Sequence, residues 1–258
     1  MKKYFALILP VLLLAAAQSA ATNLANPAAQ IPGARMSFGA SYYLGGADIT
    51  NLEIPMMINR IGGRVSYAPV PYVNFGADFG TAQVSVDQYA IGRDIIPIFN
   101  GNLGWSVGGH LKLSTPYIAN TFAVLALGHV NYFSSANKLK AYYAGTDIAA
   151  AAGLQFRIPG GGVLSFGPQL YMIEGANKGF NGEKDKYKAV NNMRAWIAFD
   201  YFPEETFIMW DQKPYVSIEF TASPKISGSR RAPIQEFGVS ISVGAITQRL
   251  YGEDSGDE

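Results

Sequence analysis

Read at a spacing of two, Arg60, Arg64, Asp78, His110, Lys112, Asp147, Arg157, Arg194, Asp200 and Glu219 fall on the polar phase of alternating segments. Both signs are present, so the chemistry they offer together is an ion-pair and hydrogen-bond network filling an interior, because charges taken out of bulk water need partners. The same set would also serve as the selectivity lining of a narrow pore. Arg64 and Asp78 flank a hairpin that turns near residue 71, midway between them, which places them opposite one another. The chain has 2 histidines, and these invite a metal or catalytic reading. Their hairpin turns near residue 118 on this reading, setting His129 opposite about residue 107 and about 10 to 13 Å from His110 at about 3.3 Å per residue. Zinc ligands must meet one ion at about 2 Å, so no shared site is expected.

Nothing else in the chain groups a nucleophile, a base and an orienting residue. No nucleophile elbow, phosphate-cradling glycine loop or metal-ligand spacing occurs, and the doublets Gly45–Gly46 and Gly62–Gly63 read as kinks or turns. The expectation is a protein without catalytic residues, cofactor or metal.

The elements that must position these residues are strands. Met36, Phe38, Ala40, Tyr42 and Leu44 alternate with Ser37, Gly39, Ser41 and Tyr43. In residues 101–114, Leu103, Trp105, Val107, Leu111 and Leu113 oppose Gly104, Ser106, Gly108, His110 and Lys112. Similar segments cover 61–67, 73–80, 121–133, 142–158, 163–174, 191–202, 215–223 and 236–246. Their connections alternate in length. Residues 68–71, 114–120 and 159–162 are tight and rich in turn residues, and 203–213 is a longer joint on the same side. Residues 45–59, 87–100, 134–141, 175–190 and 224–235 are long, and polar or irregular.

The ends of the chain differ from the middle. Lys2 and Lys3, an apolar run to Ala17 and small residues at Ser19, Ala20 and Ala21 read as a secretory signal peptide over 1–21, followed by a linker over 22–33. Residues 252–258 form an acidic tail, read as solvated. Without Lys2 and Lys3 the 20 basic residues become 18, against 19 acidic, which gives no reason to expect nucleic acid as a partner. With 0 cysteines there is no disulfide framework, and no later apolar run reaches the roughly 18 residues of a spanning helix.

Alternation alone leaves two environments open: a soluble sandwich or ligand-binding barrel with the apolar phase inside, or a membrane barrel with that phase toward lipid. Only 15% of residues are charged, and Gly, Ser, Ala and Asn dominate the polar phase, which suits the inside of a narrow barrel better than a face in water. Tyr67, Phe122, Phe156 and Tyr201 gather toward the short turns, and Tyr89, Tyr132 and Tyr142 toward the long loops, as interfacial girdles do. In this architecture residues 34–251 resemble the small eight- to ten-stranded outer-membrane β-barrels of Gram-negative bacteria.

That resemblance implies an all-β, antiparallel up-and-down transmembrane barrel of about ten strands, exported to the outer membrane. It implies a lumen narrow or plugged by the polar set above, with the lipid bilayer as partner and a monomeric state. Some barrels of this kind are enzymes, with histidine and acidic residues near the rim; here both histidines fall within strands. The role expected is structural or surface-binding, with a narrow porin as the alternative. Lys178, Lys184, Lys186 and Lys188 on one long loop, and Lys225, Arg230 and Arg231 on another, offer contacts to lipopolysaccharide or are simply solvated charge. Four features sit awkwardly: Pro168 inside a strand that should pair on both sides, the helix-favouring run 148–154, the doubly apolar segment 121–133, and Tyr251 followed by further residues.

Overall fold

The computed structural model describes residues 27–49, 54–91, 94–179, 184–189, 192–203, 212–223 and 237–247, without the side chains of 89–96 and 237. The signal peptide, the acidic tail with Tyr251, the cations at 225, 230 and 231, the Tyr89 side chain and most of the 203–213 joint lie outside the described residues.

Ten strands form the wall: β1 (Arg35–Ile49), β2 (Ile54–Val70), β3 (Val73–Val86), β4 (Gly104–Ser114), β5 (Phe122–Ala136), β6 (Tyr142–Ile158), β7 (Gly162–Lys178), β8 (Met193–Tyr201), β9 (Lys213–Ala222) and β10 (Phe237–Ile246). Each pairs antiparallel with the next in sequence, and β10 pairs with β1, so the sheet closes. Closure pairs each of the ten strands on both sides, while Lys184–Lys188 has a ladder to β7 alone among the described residues; unpaired backbone groups in a bilayer would cost several kcal/mol each. Lys184–Lys188 continues the line of β8 along β7, Phe99–Asn100 lies on β3, and Tyr89–Ile91 pairs with Asp94–Ile96.

The short connections match the sequence reading in place. At 159–161, Gly160 and Gly161 take φ of 86 and 87°, a region open to glycine at little cost. The long connections are shorter than expected. β1 and β2 run on to Ile49 and Ile54, β5 and β6 to Ala136 and Tyr142, and β7 to Lys178, so much of 45–59, 134–141 and 175–190 is strand. The reason is visible in the residues: Ala47, Ile49, Ile54, Met56 and Ile58 are apolar and buried, and no solvated loop would hold them.

The awkward features resolve as strand. Residues 148–154 lie within β6, tertiary pairing overriding their helical preference. Pro168 stands on the outer face of β7, opposite Ala195, and the ladder to β6 lapses at Gly167 and Pro168 but resumes in unchanged register at Gln169↔Ala151. No bulge is needed there. A change of phase occurs instead before β8: Tyr187 and Ala189 are buried on odd numbers, and Arg194, Trp196 and Ala198 on even ones.

Candidate functional site

Which face meets which medium is settled by β4. Trp105, Val107 and Leu111 are 54%, 48% and 45% exposed, while His110 and Lys112 are 7% and 2% exposed. The pattern recurs on the other strands, with Phe79, Val124, Leu170, Ile197 and Val243 outside and Asn74, Ser165, Asp200, Glu219 and Ser242 inside. A soluble barrel would invert this, because leaving so much apolar surface in water costs about 25 cal/mol per Å².

The wall is a membrane barrel. Its closed ten-strand antiparallel fold is consistent with a small outer-membrane barrel, and no described helix is long and apolar enough to cross a membrane. No protein-family model and no curated protein matches the chain. Among solved structures it is similar to the translocator domain of the autotransporter NalP from Neisseria meningitidis, at 8% identity over 86% of this chain and 91% of that one, TM-score 0.49. It is also similar to an outer-membrane channel from Pseudomonas putida F1, at 12% identity over 86% and 98%, TM-score 0.42. A third is the β domain of the Bordetella autotransporter BrkA, at 11% identity over 83% and 98%, TM-score 0.37.

Inside the wall the lumen is layered. Nearest the short turns, residues 27–31 lie within the barrel mouth, where a linker was expected, and Ala28, Ala29 and Ile31 are buried. Three strands hold them. The Ala29 N–H donates to Asp200 Oδ2 at 2.7 Å, and the Lys112 ammonium donates to the carbonyls of Pro27, at 3.3 Å, and Ala29. Gln155 donates from its amide to Ala28 O at 3.0 Å. Ser217 donates to the second Asp200 oxygen. Sequence reading missed this segment because Pro27, Ala28 and Ala29 carry no periodic signal; their contacts run through the backbone.

Above lies a second layer, centred on Asp78. The register sets Arg64 opposite it, and the guanidinium donates to Asp78 Oδ1. His110 Nδ1 approaches Asp78 Oδ2 at 3.1 Å while its Nε2 lies 2.9 Å from Ser66 Oγ, and His129 Nε2 comes within 3.3 Å of the same carboxylate oxygen. The histidines are therefore direct cross-strand partners, His110↔His129, which corrects the separation expected from sequence. The hairpin pivots between 119 and 120, because Ala119 and Asn120 adopt φ of 50 and 54° and carry the turn past residue 118.

Hydroxyl, imidazole and carboxylate stand here in the order of a proton relay, the carboxylate fixing which ring nitrogen faces the serine. The cavity lined by Asp78, His129 and Asn131 measures ≈ 40 Å³, room for about one water and no organic substrate. Among the described residues no group of three His, Cys, Asp or Glu side chains is placed to hold a metal ion.

Higher still, Arg60 pairs with Asp147, with its guanidinium 5.1 Å from the Tyr43 ring and 5.3 Å from that of Phe133. Arg194 lies 4.0 Å over the Tyr171 ring and donates to Gly46 O at 3.1 Å, and Glu219 is buried in the wall of β9. Arg157 departs from the expected set. It is exposed at the mouth and stacks 3.7 Å over Tyr117, because it sits one residue from the end of β6. Toward the long loops the inward phase turns apolar: Met56, Ile58, Val84, Phe99, Phe133, Tyr143, Tyr171, Ile173 and Tyr187 are buried in one cluster.

The outer wall also changes with height. Val130, Ile148 and Met172 form an exposed cross-strand row on β5, β6 and β7. One step higher the row is Tyr132, Thr146, Glu174 and Lys188; above it stand Ala144, Ala176 and Lys186, and then Tyr142, Lys178 and Lys184. Trp105 stacks on Tyr132 with centroids 4.8 Å apart. At the opposite end Phe122, Phe156 and Phe166 form a second aromatic ladder, with centroids 6.1 and 5.8 Å apart.

Proposed function

We propose that this chain is a monomeric, non-enzymatic outer-membrane barrel, exported by its N-terminal signal segment, whose sealed lumen leaves it a structural or surface-binding role. The observation that carries the reading is residues 27–31 seated in the short-turn mouth by Lys112, Gln155 and Asp200. The buried apolar cluster toward the long loops supports it from the other end. A catalytic role for Ser66, His110 and Asp78 is disfavoured by enclosure: Ser66 and His110 are buried, and the small cavity lined by Asp78 is not lined by either of them.

The test is conductance in planar bilayers of the folded, signal-free protein. Silence at all voltages is expected; discrete steps shifted by Arg64→Ala would overturn the sealed reading in favour of a narrow porin. Fractionation with outer membranes and heat-dependent gel mobility are expected as well, and a soluble periplasmic pool would refute the placement.

A further inference from the structure

On the outer wall of β5, β6, β7 and Lys184–Lys188, the step from Val130, Ile148 and Met172 to Tyr132, Thr146 and Glu174 marks the edge of the hydrocarbon. Immediately above that edge a trough of ≈ 820 Å³ opens between Tyr132 and Tyr142 on one side and Lys186 and Lys188 on the other. Its floor is small: Ala144, Thr146 and Ala176 leave a depression two strands wide.

The charge around it is mainly positive, with Asp185 exposed between Lys184 and Lys186. Among the described residues Glu174 is the one carboxylate lining the trough, and it faces Lys188 across the strands. Lys178 lies directly opposite Lys184, a like-charge pair that destabilises a sheet when no anion intervenes. Lys138 and Lys140 occupy the adjoining turn. Among the described residues, every lysine except Lys112 in the lumen and Lys213 at the start of β9 belongs to this arc. The described arginines lie in the lumen or toward the short turns. Cations just beyond an apolar band, beside interfacial aromatics and a depression floored by small side chains, complement a phosphorylated lipid headgroup.

We propose that this trough is a binding site for a phosphate-bearing glycolipid of the outer leaflet. Its phosphate sits against Lys184, Lys186 and Lys188, and its sugar rests over Ala144 and Ala176. The inference rests on the reading that the barrel spans the outer membrane with its long loops outward.

The experiment is native mass spectrometry of the full signal-free protein in detergent micelles titrated with bis-phosphorylated lipid A, with its dephosphorylated form and with phosphatidylethanolamine. Retention of the phosphorylated lipid alone is expected. Lys184→Ala/Lys186→Ala/Lys188→Ala should weaken it about a hundredfold, given what each basic residue contributes near an anionic lipid. Ala176→Trp, which fills the floor and keeps every charge, should abolish it. Equal retention of the dephosphorylated lipid, unchanged binding by either variant, or complete displacement by millimolar inorganic phosphate would overturn the proposal. Heat-dependent gel mobility is read on every variant. A folded barrel that ignores the lipid sinks the site alone, whereas a wild-type chain soluble without detergent sinks the membrane reading with it.

Discussion

Asp147 is wholly enclosed and pairs with Arg60. Arg60→Ala would leave a carboxylate unpaired in the lumen, a loss of about 3 to 5 kcal/mol, read by urea unfolding in lipid vesicles. Arg157→Ala, at an exposed site stacked on Tyr117, should cost under about 1 kcal/mol in the same measurement. Gly76 is a second sensitive residue. A Cβ there would lie 2.1 Å from Val65 O and 2.7 Å from His110 Cε1, so Gly76→Ala should push His110 off Ser66 and cost about 1 to 3 kcal/mol. Some of this site was legible in advance. A tight turn at 71 makes the Arg64 and Asp78 register simple counting, whereas the His110 and His129 contact depends on left-handed Ala119 and Asn120, and neither residue type announces that conformation.

At the scale of the strand, the alternation of β4 carries the environment. Leu111 pairs with Gly128 near mid-wall and points outward, one residue from the enclosed Lys112. Leu111→Arg should therefore cost about 2 to 4 kcal/mol in vesicles. A soluble barrel with residue 111 on its surface would tolerate it, so an unchanged unfolding midpoint would contradict the lipid-facing assignment. Period two was readable wherever one phase was polar. It failed at the upper ends of β1, β2 and β7, where the inward residues are also apolar and both phases look alike. The change of phase before β8 left no trace in composition either.

At the scale of the whole molecule, the sealed lumen proposed above rests on two separate features: residues 27–31 at one mouth and the apolar cluster at the other. Removing residues 22–31 opens the first and leaves the second. The expected result is a truncated barrel still silent in bilayers, but with Lys112 newly reactive toward a water-soluble amine reagent added from the short-turn side. Full-length protein should resist labelling there. Equal labelling of Lys112 in both would show that the segment does not cover it.

The mouth segment has one more consequence, for the order in which the chain assembles. Ala29 enters at the start of the polypeptide, yet the carboxylate that receives its amide, Asp200, is delivered 171 positions later. A chain arriving from its amino end therefore supplies Lys112 with the fourth strand and Gln155 with the sixth before Asp200 follows with the eighth. The hold on that stretch is complete only when the eighth arrives, shortly before the last strand meets the first and locks the ring.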